Sequence, residues 1–201
     1  FLNSYAARGR LYLNNGSDTP FSSSTAGVDV SSDSLSSATS VVGDIDNDGA
    51  IDIAVGSQGI DRLYQNNSSQ TPFNGVGYDV GTDAKQDWVI AHGDIDNDGY
   101  IDFVAGGSNQ QPKIYFNDGT DTSFGAVIGS IVPASGSNPR ALALADVDHD
   151  GLIDLVTSDL DDTLQVYFNN GTSTPYTDDA NAGTETDWME VGATNDTLAL
   201  V

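Results

Sequence analysis

The chain of 201 residues has no cysteine and only six lysine and arginine residues. The lack of cysteine excludes disulfide bonds and thiol catalysis. The shortage of basic residues argues against nucleic acid as a partner, because phosphate binding needs clustered lysine and arginine. No apolar run approaches the roughly 20 residues of a membrane span, so membrane insertion is not expected.

Glutamate is scarce as well. Of the 30 acidic residues only Glu185 and Glu190 are glutamate, and the formal net charge is -24. A generic acidic surface would mix the two acids. An excess of aspartate indicates turns and sites for hard cations, because the short carboxylate bonds its own backbone and reaches an ion from a tight loop.

One nonapeptide of the form D-x-D-x-D-G-x-x-D occurs three times, at residues 44–52, 94–102 and 146–154. Carboxylates at positions 1, 3 and 5 of a tight loop converge, and they repel one another unless a cation is present. Glycine at position 6 permits a turn with positive φ. The carbonyl of position 7 and the aspartate at position 9 can add further oxygen ligands, as in the first part of an EF-hand loop. The motif therefore predicts calcium binding.

A second motif keeps the same period of about fifty residues. It contains an apolar residue, tyrosine, one further residue and asparagine, and it begins at residues 11, 63, 114 and 166. Each repeat indicates four short strands. In the second repeat we predict strand A at 88–93, strand B at 101–105, strand C at 113–116 and strand D around 124–132. Four strands per repeat of this length predict an all-β fold, a β-propeller of four-stranded antiparallel blades.

The two ends of the chain together predict one more blade. The C-terminal residues followed by the N-terminal ones have the same polar-to-apolar profile as residues 47–57, so strand A is expected around 188–192. We expect one domain over residues 1–201, a closed four-bladed monomer, which would leave no sheet edge open. The alternative is half of an eight-bladed ring, as a homodimer or within a longer array. The predicted blades are 31–80, 81–132, 133–180, and 181–201 joined to 1–30.

The nonapeptide leading into an apolar strand, together with the L-Y-x-N-N-G segment, resembles the FG-GAP/VCBS repeat family. That family includes the calcium-binding blades of integrin α-subunit propellers and some fungal and bacterial lectins. The resemblance implies three calcium ions, because the fourth repeat, around 192–197, lacks the carboxylate set. It implies that the calcium ligands are Asp44, Asp46, Asp48, Ala50 and Asp52; Asp94, Asp96, Asp98, Tyr100 and Asp102; and Asp146, Asp148, Asp150, Leu152 and Asp154, with the residue at position 7 contributing its carbonyl.

Residues at the start of each strand A form a second candidate site, on the face opposite the loops. Ala38, Trp88 and Arg140 each lie six residues before a loop, and Trp188 is the fourth by alignment. Tryptophan with arginine suits a sugar ring or a carboxylate. The alternative is that the two tryptophans plug the channel of a narrow ring.

These features predict a secreted, calcium-stabilised binding module for a glycan or an extracellular protein of the cell surface or matrix. An extracellular location is expected because calcium is abundant there. The alternatives are a non-lectin interaction domain of a larger adhesin and an accessory domain of a polysaccharide-active enzyme. No catalytic constellation stands out.

Overall fold

The computed structural model describes residues 9–14, 16–18, 27–32, 35–69, 73, 77–82, 86–120, 124, 138–160, 164–176 and 188–190. These residues form strands and turns without a helix, which confirms the all-β prediction; no helix there is long and apolar enough to cross a membrane. The strands are β1 Arg10–Leu11, β2 Val28–Asp29, β3 Ser37–Gly43, β4 Asp52–Ser57, β5 Asp61–Tyr64, β6 Tyr78–Val80, β7 Asp87–Gly93, β8 Asp102–Gly107, β9 Lys113–Tyr115, β10 Pro139–Ala145, β11 Asp154–Asp159, β12 Leu164–Tyr167 and β13 Trp188–Glu190.

Three antiparallel sheets repeat one design. The first sheet has the order β3-β4-β5-β6, the second β7-β8-β9 and the third β10-β11-β12-β13. In each sheet the first two strands form a hairpin that is closed by one nonapeptide. The last residue of the first strand faces the ninth residue of the loop, as Gly43 faces Asp52 and Gly93 faces Asp102. The predicted A–B hairpins are therefore confirmed.

The pair β1–β2 repeats the outer half of a sheet. Its ion pair between Arg10 and Asp29 has a counterpart between Arg62 and Asp79 on β5 and β6. Leu11 of β1 and Val30, which follows β2, pack on the first sheet in one cluster with Ile53, Val55 and Tyr64. The same arrangement joins the first sheet to the second, where the cluster contains Leu63, Val80, Phe103, Ala105 and Tyr115. The assignment of residues 1–30 to a blade shared with the C-terminal residues stays a prediction.

Strand β13 corrects one prediction. We predicted Trp188 as the start of an innermost strand, but Trp188–Glu190 pairs with β12 and is the outermost strand of the third sheet. Its sequence repeats that of β6, since Met189-Glu190-Val191-Gly192 follows the pattern of Tyr78-Asp79-Val80-Gly81.

The third sheet therefore extends beyond residue 180, where we predicted the third blade to end. The split blade loses the segment that was to begin its strand A. The loop without carboxylates that we predicted at 192–197 lies outside the described residues, and a closed ring of four blades stays a prediction.

The hydrophobic core lies between successive sheets. One cluster joins Ile45 and Ala54 of the first sheet and its loop to Phe103 and Tyr115 of the second. The next joins Ile95 and Val104 to Leu155 and Tyr167 of the third sheet. The second residue of a loop, Ile45 or Ile95, is only 1% exposed because it is packed under the next sheet. This packing fixes the position of each loop relative to its neighbour.

Phe124 is the described part of the strand D that we predicted around 124–132 in the second repeat. It forms isolated bridges with Asn117 and Val80, and its ring packs against Phe103 at 4.7 Å between centroids with the planes tilted by 45°. The rest of that predicted strand lies outside the described residues.

Candidate metal centre

The three nonapeptides adopt one loop conformation. The glycine at position 6 has φ of 88°, 92° and 92° in Gly49, Gly99 and Gly151. Position 4 also has positive φ, between 59° and 65°, although it is occupied by Asn47, Asn97 and His149. Asparagine tolerates this region better than most residues. Two left-handed residues so close together turn the chain sharply enough to bring its carboxylates into one place.

Carboxylate oxygens come within 4.8 Å of one another in all three loops. Positions 1 and 3 take part in every group. Position 5 joins them in the first loop, and position 9 joins them in the second and third. The groups are Asp44, Asp46 and Asp48; Asp94, Asp96 and Asp102; and Asp146, Asp148 and Asp154. The structure thus brings together the carboxylates of nine residues that the sequence predicts as ligands. The position-7 carbonyls stay a prediction as ligands.

Hydrogen bonds inside each loop hold these carboxylates in place. The aspartate at position 1 accepts the N–H of the glycine, at 3.1 Å in the pair Asp44 and Gly49. The aspartate at position 5 accepts the N–H of position 7, at 2.7 Å from Ala50 to Asp48. The other two loops repeat both bonds at 2.8–3.1 Å. These bonds within each loop help to stabilise its conformation.

The aspartate at position 9 also braces two strands, a role that the sequence motif does not reveal. One oxygen of Asp102 accepts the N–H of Ile95 and the other accepts the N–H of Asn117, both at 2.8 Å. The equivalent bonds of Asp52 and Asp154 measure 2.8–2.9 Å. All three carboxylates are buried, at 0–1% exposure. Each therefore joins the start of its loop to the end of strand C.

Several aspartates of the loops have a raised pKa, because burial and neighbouring carboxylates disfavour their negative charge. The pKa of Asp102 is raised from 3.8 to about 7, first by burial and then by Asp96 and Asp98, against the opposing effect of its two hydrogen bonds. Burial is also the first cause of the raised pKa of Asp46, Asp52 and Asp96. The buried Oδ1 of Asp44 accepts no hydrogen bond from the described residues. A hard cation fits these groups, because such ions bind carboxylate oxygens and bring the positive charge that would neutralise them.

Asparagine side chains connect neighbouring loops. Asn117 and Asn169, the asparagines of the second sequence motif, are buried at 6% and 5% exposure. The amide of Asn117 donates to the carbonyl of Ile45 in the preceding loop, and that of Asn169 donates to Ile95 in the same way. The recurrence of asparagine after strand C was the signal for these residues. Their partners, 72 and 74 residues away, could not be found from it.

The second candidate site lies at the other end of the first strands. Trp88 and Arg140 are the second residues of β7 and β10, and the guanidinium carbon of Arg140 lies 4.7 Å from the centre of the Trp88 ring. Arg140 is exposed and Trp88 is half-buried. Ala38 holds the equivalent place in β3, whereas the correction above removes Trp188 from this set. Two of the four predicted residues are therefore in contact.

The sequence matches the model of one protein family, described as an FG-GAP-like repeat, at residues 44–105 and 94–157. Both matches begin at the first aspartate of a nonapeptide and continue into the next hairpin. Together they cover 44–157, more than half of the chain. No curated protein matches it. The loops, the hairpins that they close and these two matches agree, and the chain belongs to the FG-GAP-like repeat family.

Proposed function

We propose that the chain is a calcium-stabilised binding module with one calcium ion in each of its three loops. The observation that supports this most directly is the triple recurrence of convergent carboxylates with oxygens within 4.8 Å. Three such groups in a chain of net charge -24 oppose compaction unless cations neutralise them. A set of oxygen donors without nitrogen or sulfur favours calcium over zinc.

The chain's own residues would hold the ion as the hydrogen bonds already arrange them. Positions 1 and 3 of each loop present carboxylates to one point, with position 5 in the first loop and with position 9, at the start of strand B, in the second and third loops. A bound ion supplies positive charge. Because its ligands come from both ends of one loop, it would clamp the hairpin of strands A and B and stiffen the inner part of each sheet.

Native mass spectrometry in calcium tests this proposal. We expect up to three bound ions per chain, and one fewer in Asp96→Asn, which removes a carboxylate from the second loop only. Asp118→Asn is the matched control, because Asp118 is an exposed aspartate outside the loops. A wild-type chain that carries no calcium at millimolar concentration would overturn the proposal.

The partner that we propose is a glycan or an extracellular protein of the cell surface or matrix, bound on the face opposite the loops. The support is the pair of Trp88 and Arg140, because an aromatic ring suits a sugar face and an exposed guanidinium suits a carboxylate or hydroxyl group. The requirement for calcium favours an extracellular location. The proposed role is binding rather than catalysis.

A glycan array with and without calcium tests the choice of partner. We expect binding in calcium, and we expect Arg140→Ala to weaken it, while Arg10→Ala, on the β1–β2 pair, should not. Absence of glycan binding by folded, calcium-loaded protein would count against the lectin function. Protein interaction within a larger adhesin would then be the better proposal.

A further inference from the structure

We propose that Asn117 and Asn169 couple neighbouring cation loops, so that a cation bound in one loop raises the affinity of the next. This inference rests on the proposed cation binding, but it concerns residues outside the nonapeptides. Asn117 and Asn169 are positioning residues, and each follows strand C of its own sheet and contacts the loop of the preceding sheet.

The amide of Asn117 is shared between two loops. Its Nδ2 atom donates to the carbonyl of Ile45 at 2.9 Å and to the carbonyl of Ile101 at 3.3 Å. Ile45 lies between the first two aspartates of the first loop, and Ile101 immediately precedes the last aspartate of the second. Asn169 makes the same pair of bonds to Ile95 and Ile153, at 2.9 and 3.0 Å.

The same asparagine also positions a carboxylate. The backbone N–H of Asn117 donates to Asp102 at 2.8 Å, and that of Asn169 donates to Asp154 at 2.9 Å. One buried residue therefore contacts the ninth position of its own loop and the second position of the preceding loop. The route from Asp102 to the carbonyl between Asp44 and Asp46 passes through a single residue.

A second contact connects the same loops on the surface. The side chain of Asn47, at position 4 of the first loop, donates to the carbonyl of Gly99 in the second at 2.9 Å. Asn97 donates to Gly151 of the third loop at 3.4 Å. Each pair of neighbouring loops is thus joined by one buried and one exposed amide, and both amides depend on the position of a loop carbonyl.

Ordering of one loop by a bound cation explains how these contacts raise the affinity of the next loop. A cation that fixes one loop also fixes the carbonyl that its neighbour's asparagine needs, so the second loop loses less conformational entropy when it binds. Charge acts in the opposite direction, because a bound cation repels the next one. Each loop has four carboxylates, however, and a divalent ion leaves it negative. Repulsion over more than about 8 Å is also screened at physiological salt.

Asn66 provides a matched control. It occupies the equivalent place in the first sheet, and its backbone N–H donates to Asp52 at 2.8 Å. Its amide donates at 3.1 Å to Ile51 of its own loop. Within the described ranges its amide makes no bond to another sheet. Replacement of Asn66 by alanine therefore removes the local bond without removing any bond between loops among the described residues.

The test is a double-mutant cycle read in the second loop. Terbium(III) serves as the probe, because Tyr100 at position 7 of that loop can sensitise its luminescence, and calorimetry with calcium gives a second readout. Asp46→Asn disables the first loop. We expect it to weaken binding in the second loop about fivefold or more, the lower range for coupled sites. In the Asn117→Ala background Asp46→Asn should change that affinity less than twofold, whereas in the Asn66→Ala background the full effect should remain.

The outcomes separate this inference from the proposed function. No terbium or calcium binding by the wild-type chain overturns both. The coupling alone is overturned if Asp46→Asn leaves the cation affinity of the second loop unchanged. It is also overturned if Asp46→Asn changes that affinity equally with and without Asn117. Asn47→Gly gives an independent variant if Asn117→Ala does not fold, because glycine accepts the φ of 59° at this exposed position. It should also reduce the coupling, and unchanged coupling in that variant would overturn the inference that the amide contacts between the loops transmit binding.

Discussion

In the absence of divalent cations, the chain should be more stable at pH 5 than at pH 7. The folded pKa of Asp102, about 7, lies above its ordinary value of 3.8 because the carboxylate is buried beside other carboxylates. Between these values the folded chain holds a proton that the unfolded chain has released. The stabilisation is complete below pH 3.8 and is lost as the pH rises through 7.

The size of the effect follows from linkage. One proton held only in the folded state changes the free energy of unfolding by about 1.4 kcal/mol per pH unit. From pH 5 to pH 7 this single group contributes a loss of about 2 kcal/mol, because its titration is half complete at the upper limit. Asp46, Asp52 and Asp96 shift in the same direction and add to it.

Urea unfolding in EDTA at several pH values, followed by tryptophan fluorescence, measures this slope. Asp102→Asn should flatten it, since asparagine does not titrate. Asp118→Asn should leave the slope unchanged. Asp118 is exposed, and its pKa is lowered from 3.8 by Thr120, so it titrates below the range from pH 5 to pH 7. Calcium should abolish or reverse the slope, because the ion competes with protons for the same oxygens. Stability in EDTA that is flat or rises from pH 5 to pH 7 would refute the electrostatic account of the loops.

Three further changes have defined expectations. Calcium at 100 times its dissociation constant should stabilise the chain by about 2.7 kcal/mol for each independent site, and a melting temperature that EDTA does not lower would contradict this. Gly77→Ala should destabilise the chain by about 1–3 kcal/mol in urea unfolding, because the new Cβ would lie 2.5 Å from the buried Tyr64 ring. Gly59→Ala is the control in the same titration, because a Cβ at that position is not crowded. Tyr176→Phe removes a 2.7 Å bond to the Ile153 carbonyl and should cost about 1 kcal/mol in urea; a loss above 3 kcal/mol would mean that the hydroxyl has another role.

The inner hairpins could be predicted from sequence because their signals are local. The loop, its glycine and the following strand lie within about a dozen residues, and their spacing fixes the register. The outer strands carry a weaker signal, since they are short and pair only at one edge. Alignment on a single tryptophan placed Trp188 in the wrong strand. The pattern shared by Met189-Glu190 and Tyr78-Asp79 was the better guide.

The contacts between loops could not be predicted in the same way. The sequence identifies Asp102 as a possible ligand, but its two hydrogen bonds depend on how strand C returns to the loop. Asn117 and Ile45 are 72 residues apart, and they meet only because the apolar faces of two sheets pack together. Such contacts follow from tertiary packing, for which a single repeat contains no information.

The repetition of one interface between successive sheets has a consequence for how such a chain can change. Leu11 and Val30 rest on the first sheet as Leu63 and Val80 rest on the second, so each sheet offers its successor the same apolar surface. A duplicated or deleted repeat would meet an apolar surface of the same pattern at each junction, although equivalent side chains such as Ile53 and Phe103 differ in size. Gene duplication and unequal recombination can therefore alter the number of repeats in a single step, and the same property makes a whole repeat the natural unit for grafting.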